Sequence, residues 1–139
     1  EAEPLLRRAL AIDEASLGSE HPSVAVRLNN LAQLLQATNR LSEAEPLLRR
    51  ALAIDEASLG GEHPSVAREL NNLAQLLQET NRLSEAEPLQ RRALRIFSVS
   101  LGSEHPHTQI VRKNTIRLLR ALGRSEDEID ATLAAVLAG

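Results

Sequence analysis

The chain of 139 residues has no cysteine, methionine, tryptophan or tyrosine, and its single aromatic is Phe97. Without cysteine there is no disulfide framework and no thiolate chemistry, which fits a reducing compartment such as the cytoplasm. Without methionine the chain reads as a piece of something longer. The near-absence of aromatics removes the platforms on which single-stranded nucleic acid stacks. A net charge of −3 offers no general attraction to phosphate backbones. No apolar run approaches the ~18 residues of a membrane-spanning helix. No nucleophile in a catalytic setting, no metal cluster and no glycine-rich phosphate loop is visible, so neither an enzyme nor a cofactor is expected. Apolar residues make up 42% of the chain and are nearly all Leu, Ala, Val and Ile, a composition suited to close-packed helices.

What is present is repetition. Residues 1–42 and 43–84 are identical at 38 of 42 positions, differing at Ser19/Gly61, Val26/Arg68, Arg27/Glu69 and Ala37/Glu79. A third copy begins at Glu85, stays close through "EAEPLQRRALRI", and then diverges except for "SLGSEHP". Self-similarity at this period marks an array in which each unit buries its apolar face against its neighbours.

Each unit reads as two helices. Val24, Leu28, Leu31 and Leu35 recur at helical spacing over 22–38, with Ala32 on the same face. Leu47, Leu48, Ala51, Leu52 and Ile54 stripe a second helix over 43–59. Ser42 followed by Glu45 has the spacing of a capping box, and Pro46 is expected in the first turn, where its missing N–H costs nothing. Helices are therefore predicted near 2–17, 22–38, 43–59, 64–80, 85–101, 106–122 and 126–137, the last opened by a second capping box, Ser125 with Glu128. Its inner stripe is predicted at Ile129, Leu133, Val136 and Leu137, with Phe97 covering part of it. The unit boundaries are placed at 1–18 (an orphan second helix), 19–60, 61–102 and 103–139 (a divergent capping repeat), within a single domain.

The recurring Glu–His–Pro triplet invites a catalytic or metal reading. The flanking residues offer a simpler one. Gly60 stands where a left-handed C-terminal cap is expected, and Pro64 suits the first position of the next helix. His21, His63 and His105 then fall one repeat apart, and helices pack roughly 8–10 Å from each other, too far for ligands that zinc needs at about 2 Å. Hydrogen bonding between helices by a connector residue is the expected role, and no metal site is assigned.

The stretch "LNNLAQLLQATNRLSEAEPLLRRALAI" resembles a tetratricopeptide repeat, whose pattern falls on Leu28, Leu31, Ala32, Leu35, Ala44, Leu48 and Ala51 and again on Leu70, Leu73, Ala74, Leu77, Ala86, Gln90 and Ala93. With "LG-x-x-HP" it looks like the 42-residue variant of kinesin light chains and many bacterial proteins, although leucines replace the family's aromatics and the proline that closes its second helix is absent. The resemblance implies an all-α, right-handed α-solenoid of antiparallel helix pairs. An armadillo array has a similar period but needs three helices per unit, and only two helical patterns are visible.

The resemblance also implies a groove lined by the first helices, where peptides bind. Asn29, Gln33 and Gln36 form a polar stripe on the first of these helices, Asn71, Gln75 and Gln78 repeat it, and Lys113, Arg117 and Arg120 make it cationic. Asn30, Asn72 and Asn114 match the family asparagine that grips a peptide backbone. Arg68 and Glu79 lie where the groove edge is expected. No acidic residue falls between Pro106 and Arg124, so Arg112 and Arg124 add to a basic cluster suited to carboxylates. The expected function is a scaffold binding an extended, acidic peptide. The alternative is a structural spacer or self-association arm, acting through the uncovered apolar face of helix 1–17 (Leu5, Leu6, Ala9, Leu10, Ile12). Nucleic acid and membrane are not expected partners.

Overall fold

The structure, a computed structural model, describes residues 2–138. Among these residues there are seven helices and no strand: α1 (Ala2–Leu17), α2 (Pro22–Ala37), α3 (Leu41–Leu59), α4 (Pro64–Glu79), α5 (Leu83–Leu101), α6 (Pro106–Ala121) and α7 (Glu126–Ala138). They fall into two compact units, Glu1–Gly61 and Glu62–Gly139. In the first, α1 and α3 pack on α2; in the second, α4 and α6 pack on α5, and α7 rests on α5 and α6.

The cores follow the apolar periodicity. Val24, Ala25, Leu28, Ala51 and Ile54 form one cluster of the first unit, with Leu10 and Leu47 packed against it. In the second, Leu70, Leu73, Ala74, Leu77, Ala93, Leu94 and Leu118 are all buried. Burying such a leucine contributes roughly 1.5–3 kcal/mol, so the leucine-for-aromatic exchange leaves the helices well anchored.

The helix joints depart from the expected ones. The chain leaves α2 through Asn39 at φ 60, α4 through Asn81 at φ 59 and α6 through Gly123 at φ 85. Asn39 N–H donates to the Gln36 carbonyl and Arg40 N–H to the Leu35 carbonyl, the paired bonds of a Schellman motif. This reverses the chain so tightly that α3 and α5 begin at Leu41 and Leu83, two residues earlier than predicted. Ser42 is already helical, and α3 and α5 carry no side-chain cap, so the predicted capping box at Ser42 does not form. Instead Arg40 donates to Glu43 at 2.7 and 2.9 Å. Pro46 consequently lies in the second turn, on the exposed side. The capping box does form at α7: Glu128 N–H donates to Ser125 Oγ at 3.2 Å, and Ser125 N–H to the Glu128 carboxylate at 2.8 Å.

At the other joints Gly60 has φ 88 and ψ 155, an extended positive-φ conformation rather than the left-handed helical one expected. Only glycine reaches that region without strain. The histidines that follow cap helices rather than bridging them. Nδ1 of His21, His63 and His105 accepts from the backbone N–H of Ser23, Ser65 and His107 at 3.0–3.1 Å. An imidazole nitrogen here does the work of an aspartate or asparagine oxygen. His63→Asn is therefore expected to leave stability unchanged, whereas His63→Ala should cost about 1 kcal/mol, as read from urea unfolding of the two variants side by side.

Three features mark the C-terminal end. Thr115, at the register of Leu31 and Leu73, stays buried, its hydroxyl donating to the Val111 carbonyl at 2.7 Å. Phe97 lines the cleft at the N-terminal ends of α4 and α6, where it stacks on His107 with ring centroids 5.8 Å apart. Ile129, Leu133 and Val136 are buried as predicted, but Leu137 is exposed.

Candidate functional site

Between α4 and α6 the second unit opens two clefts. One, of about 320 Å³, is lined by Gln75, Gln78 and Glu79 of α4 and by Asn114 and Arg117 of α6. The other, of about 340 Å³, is lined by Pro64, Ser65 and Arg68 of α4, Phe97 and Leu101 of α5, and His105 and His107 at the start of α6. Arg68 and Gln75, like His107 and Asn114, are two helical turns apart, so the clefts lie about 10 Å from each other along the helices.

The predicted site residues take different places. Asn114 is buried but reaches the first cleft, and Arg117 beside it is exposed, its Nη1 donating to Asn114 Oδ1 at 3.4 Å. Gln75 is exposed and Gln78 half-buried, both lining the same cleft. Asn72 is half-buried and Lys113 exposed. Asn71 turns inward: its Oδ1 accepts from Gln90 Nε2 at 2.7 Å and from Asn114 Nδ2 at 3.4 Å. Arg68 lines the second cleft, with Nε 3.7 Å from the neighbouring carboxylate of Glu69. In the first unit, Asn30 and Gln33 are exposed, Gln36 is half-buried and Asn29 is buried.

The basic cluster is divided by ion pairs. Arg120 donates to both carboxylate oxygens of Glu126 at 2.9 and 3.0 Å, tying α6 to α7. This guanidinium holds the Glu126 carboxyl below its ordinary range, while the Ser125 backbone N–H and then its hydroxyl do the same for Glu128. Arg124 grips both oxygens of Glu87 at 2.9 and 3.3 Å. Arg112 lies elsewhere, in a cleft of about 300 Å³ with Leu133 and Leu137 of α7. Of the three cationic residues predicted to continue the polar stripe, Arg117 is thus the one lining the α4–α6 cleft, Lys113 is the residue before Asn114, and Arg120 serves the α6–α7 joint.

Sequence reasoning missed several buried polar residues, among them Asp55, Thr108, Gln90 and Glu69. Gln90 occupies the register of Leu48 and is fully buried, as is Glu69 at the register of Arg27. The substitution of Leu by Gln on a core stripe was itself the available signal. Among the described residues no group of three or more His, Asp or Glu side chains is placed to hold a metal ion, and no helix is long and apolar enough to cross a membrane.

The chain as a whole is similar to known proteins. The tetratricopeptide repeat model matches residues 1–57 and 28–98. No curated protein matches the chain. Among solved structures, two crystal structures of a kinesin-light-chain-like protein of Podosopora anserina, with nearly identical TPR-like repeats, are similar to 99% of this chain. Their identities are 31% and 32% and their TM-scores 0.75 and 0.74. BtubC (BKLC) from P. vanneervenii is 25% identical over 99% of the chain, with a TM-score of 0.82. The chain spans 64%, 66% and 54% of the lengths of these three structures.

Proposed function

Because this chain belongs to the tetratricopeptide repeat family, whose repeats mediate protein–protein interaction and which is generally non-enzymatic, we propose that it is a scaffold for an extended acidic peptide. The observation carrying this reading is the pairing of Asn114 and Arg117 on one wall of the α4–α6 cleft. A carboxamide both donates and accepts, so it suits a peptide backbone of any sequence. The guanidinium beside it suits a carboxylate. The cleft is electrostatically divided, with Arg117 on α6 facing Glu79 on α4. The ligand's acidic side chain belongs on the α6 side, near Arg117 and Lys113, and a neutral or basic one on the α4 side. Asn72, Gln75 and Gln78 supply further amide contacts from α4, and Arg68 a second cation two turns away. Asn30, Gln33 and Gln36 give α2 of the first unit a polar surface of its own, behind which Asn29 is buried. The cysteine-free chain suits the cytoplasm. A random-peptide selection tests the reading: enrichment of acidic sequences by the protein is the expected result, and recovery of basic or unselected sequences overturns it.

A second reading, self-association, has its own observation. No residue of α1 is buried, and Leu5 and Ile12 are 67% and 53% exposed. A second copy covering this face would make the mass seen by light scattering rise with concentration. Leu5→Glu with Ile12→Glu should hold the protein monomeric.

A further inference from the structure

We propose that Gln90, a residue with no exposure to solvent, is a positioning residue for the peptide cleft, acting on Asn114 through Asn71; the inference rests on the peptide-binding reading of that cleft. The three carboxamides form a relay across α5, α4 and α6. Gln90 Nε2 donates to Asn71 Oδ1 at 2.7 Å, and Asn114 Nδ2 donates to the same oxygen at 3.4 Å. Asn114 Oδ1 in turn accepts from Arg117 Nη1 at 3.4 Å. An amide has one acceptor end and one donor end, so each bond constrains the sense of the next. With Gln90 donating, Asn71 must present its oxygen. Asn114 must then turn its nitrogen inward and its oxygen toward Arg117. The relay thereby fixes which end of the Asn114 carboxamide faces the cleft and ties it to the guanidinium.

The cost of this arrangement marks it as more than packing. Gln90 is fully buried, and its Oε1 has no hydrogen-bond partner among the described residues. An unsatisfied buried acceptor destabilises a fold. Yet the equivalent position in the first unit, Leu48, is a buried leucine that carries no such penalty. The copy with the glutamine is the one in which an asparagine and an arginine stand side by side in a cleft.

Substitution of Gln90 by the leucine of the other copy separates positioning from stability. Gln90→Leu is expected to raise the urea midpoint, because the orphan acceptor is gone. The Asn114 side-chain amide should lose its slow exchange with solvent and shift in the nitrogen–proton spectrum of the ligand-free protein. Asn71→Asp, which keeps an acceptor oxygen for both partners, should retain the slow exchange, and Asn71→Leu should lose it. Affinity for a hexaglutamate peptide should fall about fivefold in Gln90→Leu, the worth of one ordinary hydrogen bond. Unchanged exchange and chemical shift of the Asn114 amide in Gln90→Leu overturn the inference. If hexaglutamate fails to bind the unaltered protein, the peptide reading of the cleft falls, and the amide measurements still decide whether Gln90 positions Asn114.

Discussion

Leu73→Ala is expected to cost about 3 kcal/mol, within the range of buried leucine truncations. Leu73 has no exposed surface, and its counterpart Leu31 is equally enclosed in the first unit. The neighbouring helices meet at a layer of leucine and alanine side chains, with no large aromatic to move into the gap, so the cavity should remain largely open. Urea unfolding followed through an α4 amide signal gives the value, with Leu5→Ala as the control. Leu5 is 67% exposed, and its truncation should shift stability by less than about 0.5 kcal/mol. A loss below about 1 kcal/mol at Leu73 would mean that the helix interfaces repack freely.

The largest effect on binding is expected at Arg117. Reversal to glutamate replaces an attractive contact with a repulsive one on the wall that faces Glu79, and affinity for acidic peptides should fall at least about tenfold. Arg120→Ala should change affinity little, because that side chain is engaged with Glu126; its effect should appear as fraying of α7. Raising the ionic strength should weaken binding to the unaltered protein, since charges at a surface cleft are screened. Titrations of the two variants with one selected acidic peptide settle the comparison. Equal losses at Arg117 and Arg120 would show that general charge, and not the α4–α6 cleft, attracts the ligand.

Helix identity was legible because apolar periodicity and proline placement are local signals. Leu28, Leu31 and Leu35 on one face, and Pro22 or Pro64 at a helix start, leave little freedom. The helix joints were harder. Ser42 and Ser125 stand in the same capping-box spacing, yet only Ser125 caps. The deciding factor lies upstream: Asn39 adopts φ 60, and Arg40 alone separates it from Leu41, the first residue of α3. After Gly123 the chain continues through Arg124 and Ser125 before α7 begins, leaving Ser125 in the non-helical position that a cap requires. Histidine likewise gave no cap signal, because its Nδ1 serves as a cap acceptor only in the neutral tautomer that leaves it unprotonated.

The candidate site was readable as a stripe but not as a set of contacts. Spacing alone groups Arg117 with Arg120, whereas the position of Glu126 divides them. Spacing also treats Asn71 and Asn114 as separate family positions, and only tertiary packing joins them through one oxygen. Glu126 and Gln90 act from other helices, so the pattern of α4 and α6 does not reveal which of their side chains these two residues engage.

Near-identity of the first two copies has a consequence for how such a chain changes over time. The residues on either side of position 42 and of position 84 are the same, "NRLS" followed by "EAEPL". Excision of residues 43–84, or their duplication, therefore creates no new junction sequence, and every Schellman turn and histidine cap at the seam is retained. Unequal exchange between the two copies lengthens or shortens the protein in steps of one whole unit with the junction sequence preserved. The changes that such exchange would erase are the few that distinguish the first two copies, among them Arg68, Glu69 and Glu79, so these positions hold the individuality of the pair while the remainder is interchangeable stock.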